Sequence, residues 1–388
     1  MKYLVSLVSD QTIPNLLFIL EKKSEADGFI FISTEGMEKK NKTDAIIKVA
    51  QIFDKVKKTI IVQEDKFTSI LEILEREIVI NDTDQFIVNV TGGTKLMSLA
   101  AYMFFQQYAA SIFYIATNNV YQRIFPKSKT MYDSLTQNLT VRDYIAACGV
   151  ELQSEPSLPT VDRESGFTIE HVQAFYSMYK EYHYPPEIRE KLQKFRQEHL
   201  FRRSLQKKGY VECDEEVIHA FLAKVGFVTD GKKITKSHIE FCTGGWFEDY
   251  IYYKIKKSLN LDRHSILLNV NLRFPDAEHK DAINEVDIFF IYNNRLFIVE
   301  CKTSLSKGDD KADLFNDTVY KLDALRHLFG LTTKTILCTL YDKMRDEKGI
   351  KEKYTSRARQ MRIELMDSII IDDDVLFAEE LKKIIGKR

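Results

Sequence analysis

The order of patterns in residues 1–137 restricts the fold more than any single motif does. Short runs of branched and aromatic residues at Tyr3–Val8, Gly28–Ser33, Lys58–Gln63, Gln85–Val90 and Ser111–Ala116 alternate with helical stretches at Pro14–Lys22, Asn41–Val56, Phe67–Glu75 and Lys95–Gln107. Strands that are apolar on both sides belong inside a sheet covered on both faces, and the intervening helices carry the chain from one parallel strand to the next. The pattern predicts a mostly parallel α/β sheet with helices on both faces. Tyr121–Phe125 adds an antiparallel edge after a turn at Asn118-Asn119.

Ligands of such sheets sit at the carboxyl ends of the strands, and two segments fall there. Thr91-Gly92-Gly93-Thr94-Lys95 links the fourth strand to its helix. Its glycines expose backbone N–H groups, the helix start favours an anion, Thr91 and Thr94 offer hydroxyls, and Lys95 offers a positive charge. Ser9-Asp10-Gln11-Thr12, after the first strand, is expected to face the same pocket. The GxxxxGK and GxGxxG spacings are both absent, which disfavours an ordinary nucleotide hydrolase or dehydrogenase. A plain packing turn is the competing reading of the glycine loop.

Residues 138–240 change character. Val141–Ala147, Ile169–Tyr179, Ile188–Leu205 and Glu215–Val225 read as helices, with Pro185-Pro186 as a break. Gly226–Ile234 reads as a small hairpin turning at Asp230-Gly231. The segment is a helical connector or a winged-helix-like unit. In residues 241–388 strands return. A helix at Trp246–Lys257 is followed by β runs at Ser265–Phe274, Glu285–Tyr292 and Arg295–Cys301. Then come a helix at Asp310–Leu328 stopped by Gly330, a strand at Lys334–Leu340, a helix near Arg357, a short β run at Ile369–Ile371 and a tail helix. Asn293-Asn294 signals a tight antiparallel hairpin.

That hairpin carries the chemistry. Side chains alternate along a strand, so Glu285 and Asp287 share one face, and Glu300 and Lys302 share a face of the next strand. Burying such acids is costly unless a cation or hydrogen bonds compensate, and Mg²⁺ or Mn²⁺ prefers oxygen ligands. Asp287 and Glu300, with the Cys301 carbonyl, are expected to hold the divalent metal. Lys302 would orient a water or stabilise phosphate charge, and Glu248, on the preceding helix, would bind through water or accept a proton. Lys321 and Arg326 are candidates for the substrate channel. A salt-bridge network is the alternative for the cluster.

Composition sets limits. The formal net charge of −1 argues against a basic nucleic-acid coat but leaves room for a local groove. Five scattered cysteines form no CxxC pair and eight scattered histidines no HExxH, which disfavours a disulfide frame or structural zinc. No apolar run reaches the ~18 residues of a membrane span. The first apolar run is interrupted at Ser9-Asp10-Gln11 with no cleavage site after it, so a cytoplasmic protein without membrane contact is expected.

Two resemblances sharpen these readings. Glu248, Asp287 and Glu300-x-Lys302 on a helix and paired strands resemble the restriction-endonuclease-like PD-(D/E)xK superfamily over residues 240–365, with Val286 where the family usually has Pro. Val8-Ser9-Asp10-Gln11 with Pro14-Asn15, and Asn89 through Met97, resemble the CRISPR-associated Rossmann-fold sensor domain called CARF. The pair is similar to CRISPR ancillary nucleases. The resemblance implies a Rossmann-like CARF sensor at 1–137, a connector at 138–240 and a restriction-endonuclease-like α/β domain at 241–388. It further implies a homodimer that binds cyclic tetra-adenylate across its two-fold axis. The activity implied is metal-dependent cleavage of single-stranded DNA or RNA in type III CRISPR defence, with supercoiled duplex DNA as a further substrate class. A ligand-independent repair or restriction nuclease, and a non-enzymatic ligand-sensing transcription regulator, are the alternatives.

Overall fold

The computed structural model describes residues 1–116, 119–127, 132–274, 284–305 and 314–387. The expected Asn118 turn position and the helix start at 310–313 lie outside these residues. In the N-terminal part, strands β1 (Lys2–Leu7), β2 (Gly28–Ser33), β3 (Val56–Ile61), β4 (Gln85–Asn89) and β5 (Ala110–Ala116) pair in parallel. β6 (Val120–Phe125) and β7 (Asp133–Ser134) extend the edge antiparallel, giving the order β3-β2-β1-β4-β5-β6-β7.

The period-two alternation of β1 decides which helix covers which face. Leu4 joins Phe18, Phe29 and Ile47, under helices α1 (Thr12–Lys22) and α3 (Lys42–Ala50), which flank the short α2 (Glu35–Lys39). Val5 joins Ile70 and Phe104, under α4 (Phe67–Glu77) and α5 (Lys95–Phe105). The expected helix Asn41–Val56 is shorter than its pattern. Gln51 takes a left-handed φ of 56° and its N–H caps the Ile47 and Lys48 carbonyls, which releases Val56 to β3.

The connector begins with α6 (Val141–Ala147), capped by reciprocal bonds between Thr140 and Asp143. Tyr144 and Ile145 bury into the same core as Leu4 and Phe18, and that core continues into Val270, Phe289 and Phe329. One apolar body thus spans the first sheet and the last. β8 (Glu151–Leu152) pairs with β11 (Ile266–Arg273) at the edge of the second large sheet.

After the short α7 (Thr160–Arg163) come α8 (Ile169–Lys180), α9 (Pro186–Gln197), α10 (His199–Lys208), β9 (Tyr210–Glu212), α11 (Glu216–Val225), β10 (Lys233–Thr235) and α12 (Lys236–Glu240). Two sequence expectations change here. Ile188–Leu205 is two helices, because Glu198 is extended at ψ 135°. The strand expected within Gly226–Ile234 pairs instead with β9, placing Ile234 opposite Val211.

The C-terminal part sets α13 (Trp246–Leu259) beneath β11, β12 (Asn284–Tyr292), β13 (Arg295–Lys302) and β14 (Lys334–Thr339), with α14 at Leu314–Leu328. A ribbon of β15 (Arg345–Asp346) and β16 (Gly349–Ile350), helix α15 (Glu352–Gln360), strand β17 (Ile363–Met366) and helices α16 (Ser368–Asp372) and α17 (Asp374–Gly386) complete it. The sheet order is β17-β14-β13-β12-β11-β8. The expected β run at Ile369–Ile371 is helical. The Asp367 carboxylate accepts from Ile370 N and starts α16, and the strand lies just before it, at β17.

The hairpin between β12 and β13 turns on Asn293 and Asn294 with φ of 50° and 56°, the left-handed pair a tight hairpin needs. Asn294 Oδ1 accepts from Leu139 N at 2.8 Å and Nδ2 donates to Gln137 O at 2.8 Å, so the turn also holds the connector's start. Asn294→Ala leaves those buried backbone groups unpaired. It is expected to lower stability by about 2–3 kcal/mol, read as an earlier midpoint in urea unfolding followed by circular dichroism. An unchanged midpoint would refute the role of this side chain.

Candidate active site and sensor loop

The β12–β13 ladder runs from Tyr292↔Arg295 to Ile288↔Val299. Its alternation sends Asp287, Glu300 and Lys302 to one side and the Cys301 side chain to the other. Asp287 is 7% exposed and Glu300 2%. Asp287 Oδ2 accepts from Cys301 N at 2.6 Å. Lys302 Nζ lies 2.7 Å from Glu300 Oε1 and 3.7 Å from Asp287 Oδ2. Lys321, on α14, donates to both Glu300 oxygens at 2.8 Å. The predicted Asp287, Glu300 and Lys302 are therefore brought together, and Lys321 joins them. Arg326 does not. It lies further along α14, toward the opposite end of the sheet.

Electrostatics follow from burial. The Asp287 carboxyl is pushed up to about 7 by burial and by Glu300, against the pull of Lys302, the Cys301 N–H and Lys321. Glu248, half-buried on α13, is pushed up to about 8 by burial and by Asp287, eased by a side-chain bond from Asn269. Burial pulls the Lys302 ammonium down, but Asp287 and Glu300 outweigh it and raise it. The buried Cys301 thiol is held far above its ordinary range.

The sequence reading missed Asn269. It sits within β11 at a left-handed φ of 50°, where the pairing with β12 is interrupted between Leu268 and Val270. The only signal was two asparagines, Asn269 and Asn271, at alternate positions of a β run. Both line a cleft of about 300 Å³ with Glu248, Asp249, the exposed Glu285 and the connector's Arg163, Arg196, Lys236 and Glu240, the last of which lies 3.4 Å from Lys236 and 3.9 Å from Arg163. Just before α13, the non-helical backbone of Gly244 kinks the chain between α12 and α13.

Among the described residues, no three His, Cys, Asp or Glu side chains close on one ion position. The fit of a divalent cation rests on the donor chemistry instead: two buried carboxylates that repel each other, with Glu248 beside them. Mg²⁺ commonly uses one or two carboxylates and fills the rest of its shell with water and phosphate oxygens, so the residues present fit it.

At the carboxyl ends of the first sheet, each predicted loop residue has a definite place. Gly92 is fixed by packing, since a Cβ there would meet Leu7 O at 1.9 Å, and Gly93 has a φ of 74°. Thr91 Oγ1 donates to Asn89 Oδ1 at 2.6 Å and accepts from Ile115 N at 2.8 Å. Thr94 caps α5 through Met97 N and donates to Glu64 O. Lys95 is exposed. In the first-strand loop, Ser9 Oγ donates to Gln11 O at 3.3 Å, and Asp10 pairs with Lys40 at 2.9 Å. Gln11 Oε1 reaches across to accept from Leu331 N at 3.1 Å. Thr12 turns inward and donates to Ala147 O at 2.6 Å.

A mostly parallel sheet followed by a second sheet that bears buried acids and a lysine makes this a two-part α/β protein. Residues 3–144 match the family of the Card1 CARF domain, and residues 235–386 match the family of the Card1-like endonuclease domain. Among solved structures it is similar to Can2 from Sulfobacillus thermosulfidooxidans in complex with cyclic tetra-adenylate, at 19% identity and a TM-score of 0.67, with 100% of both chains covered. Protein VC1899 from Vibrio cholerae gives 18% identity and a TM-score of 0.71, covering 100% of this chain and 99% of that one. A type III CRISPR defence DNA nuclease activated by cyclic oligoadenylate gives 14% and 0.50, covering 87% of this chain and 45% of that one. At these identities the likeness concerns the fold. No curated protein matches the chain.

The raised carboxyls set a pH dependence. A carboxyl whose folded pKa lies above its unfolded value favours the folded state most below the unfolded pKa, and that contribution is lost as pH rises through the folded pKa. With Asp287 near 7 and Glu248 near 8, the chain in EDTA is expected to lose thermal stability as pH rises from the ordinary carboxylate range toward 8. Asp287→Asn should flatten that slope. Identical slopes for the two chains would show that Asp287 titrates normally.

Proposed function

We propose that the chain is a nuclease that hydrolyses phosphodiester bonds of single-stranded DNA or RNA and is switched on by cyclic tetra-adenylate. The observation that carries this is the convergence of Asp287, Glu300 and Lys302 on one side of a buried hairpin within an endonuclease-family domain. The pattern supports assigning the domain to the PD-(D/E)xK type. Asp287 and Glu300, with the Cys301 carbonyl, would hold Mn²⁺ or Mg²⁺. Such an ion, when bound, polarises a phosphate oxygen and lowers the pKa of a coordinated water.

The remaining chemistry belongs to the chain's own residues. The Lys302 ammonium stays charged beside two carboxylates and can offset negative charge developing on the phosphate. Lys321 holds the Glu300 carboxylate from the helix side. Glu248, with its raised pKa, can hold a proton near neutral pH and exchange it at the cleft wall. Arg163, Arg196 and Lys236 give that cleft cations for the substrate backbone.

For the sensor, the support is the CARF family match, the exposed Lys95 beside the Gly92-Gly93 turn, and the likeness to a Can2 fold that holds cyclic tetra-adenylate. Ser9, Asp10 and Gln11 border the same end of the sheet, with Thr91 and Thr94 shaping its second loop. A homodimer is the proposed assembly. Leu96, Leu99 and Met103 lie exposed along α5 at helical spacing, an apolar stripe suited to a second copy. No helix among the described residues is long and apolar enough to cross a membrane, and a cytoplasmic location belongs to the same proposal.

One assay tests the reading. Labelled single-stranded and duplex DNA and RNA are incubated with Mn²⁺ or EDTA, with and without cyclic tetra-adenylate. Cutting is expected only with both additions. Glu300→Ala should abolish it with ring binding intact, and Lys95→Ala should weaken activation with the hairpin site intact. Normal cutting by Glu300→Ala would defeat the site assignment, and cutting indifferent to the ring would favour a ligand-independent nuclease.

A further inference from the structure

A second cavity lies apart from the cutting cleft. It encloses about 830 Å³ at the seam between the two sheets, within the size of small-ligand sites. One wall is the edge of the first sheet at Asn119 and Ser134. The other is the end of the second sheet remote from Lys302. Arg295 and Lys302 are opposite ends of β13, seven residue steps apart, or roughly 23 Å along a strand.

Its lining contains Arg295, Arg326, Lys334 and Arg362 and, among the described residues, no acid. The cations are poorly compensated. Arg326 is only 6% exposed, its Nη2 donates to Asp323 at 2.8 Å and contacts His327, and its buried Nε has no partner. Arg295 donates to the neutral carbonyls of Ile385 and Lys387, and its Nε is likewise buried without a partner. Burial and then Arg295 hold the Lys334 ammonium below its ordinary range. Glu364, the acid that acts on it, is already paired with Lys387 at 2.6 Å. Thr332 and Asn293 add neutral hydrogen-bonding groups and Tyr292 adds a ring, while the buried Thr333 hydroxyl is already donated to Phe329 O.

Like charges gathered in partial burial cost stability unless something offsets them. Guanidinium forks and hydroxyls around a nucleotide-sized space suit one chemistry, the phosphate oxygens of a nucleotide or oligonucleotide. We propose that this seam cavity is a phosphate-binding site for an oligonucleotide. Filling it would tie the edge of the sensor sheet to the nuclease sheet. The link to the sensor loop is direct, because Leu331, in the cavity wall, is held by Gln11. The proposal rests on the nuclease reading only for the source of the phosphodiester, which is either the cyclic activator or a nucleic-acid strand.

The test uses the full chain and the double variant Lys334→Gln/Arg362→Asn. Arg362 has a left-handed φ of 56°, which asparagine tolerates. Cyclic tetra-adenylate, a labelled single-stranded DNA and inorganic phosphate are titrated against both chains at low salt. At least one probe is expected to bind the variant about tenfold or more weakly, since hydrogen bonds to charged groups are lost. Without any probe the variant should melt no lower than the wild type, because repulsion is relieved; a purely structural role would lower its Tm. Weakening confined to the ring assigns the activator as occupant, and weakening confined to the DNA assigns a strand. Weakening for phosphate alone assigns a free-anion site, which keeps the phosphate chemistry and withdraws the oligonucleotide. Equal binding of all three probes by both chains overturns the proposal. Failure of the nuclease reading would appear separately, as no cutting by the wild type under any condition.

Discussion

Two carboxylates that water would otherwise solvate are pressed together inside a sheet, and much of the C-terminal half can be understood as support for that arrangement. Asp287 and Glu300 come from neighbouring strands of one hairpin, so their approach is set by backbone pairing and not by flexible side chains. Lys302 and Lys321 reduce the mutual repulsion, and the Cys301 N–H satisfies one Asp287 oxygen. What remains is a raised Asp287 and, beside it, a raised Glu248. Structural ion pairs normally lower carboxyl pKa values. Here burial and like charge win, the combination that marks sites suited to cations and proton exchange.

The hairpin is also where the two halves of the molecule meet. Its turn residue Asn294 holds the backbone entering the connector, and α6 buries Tyr144 against Phe329 and donates to its carbonyl. Gln11 and Thr12, from the first-strand loop of the sensor, bond to Leu331 and to the Ala147 carbonyl. The first-strand loop is therefore tied by direct hydrogen bonds to the segment before β14 and to the end of α6. This is a two-state element in outline only where a ligand binds one arrangement more tightly, and the cationic seam offers a physical place for that difference in affinity.

Much of this was legible in the residues. Parallel strands announced themselves as doubly apolar runs, and the acid–lysine set was readable from period two plus an Asn-Asn turn. The readings that failed share a cause, which is that local pattern cannot see what ends an element. Gln51 stops α3 by a left-handed cap, Glu198 splits α9 from α10 by one extended residue, and Asp367 starts a helix where three isoleucines suggested a strand. The loop Thr91–Lys95 shows a different limit. Its glycine at 92 is explained by contact with Leu7 O, and Thr91 and Thr94 spend their hydroxyls on the protein itself, so composition alone overstated how many groups are free for a ligand. Asn269 and the seam cluster were not legible, and Arg326 was expected in the substrate channel, because their meaning lies in distant neighbours: Glu248 for one, and four basic residues on separate elements for the other.

The most direct test of the carboxylate pair is the titration of the Asp287 side chain by carbon-13 NMR in aspartate-labelled protein, assigned with Asp287→Asn, in EDTA and then in Mg²⁺. The expected result is a carboxyl that titrates at about 7 in EDTA and falls to or below the ordinary aspartate range when Mg²⁺ is added. A resonance that titrates in the ordinary range in EDTA and ignores Mg²⁺ would contradict the assignment of this hairpin as a cation-binding cutting site.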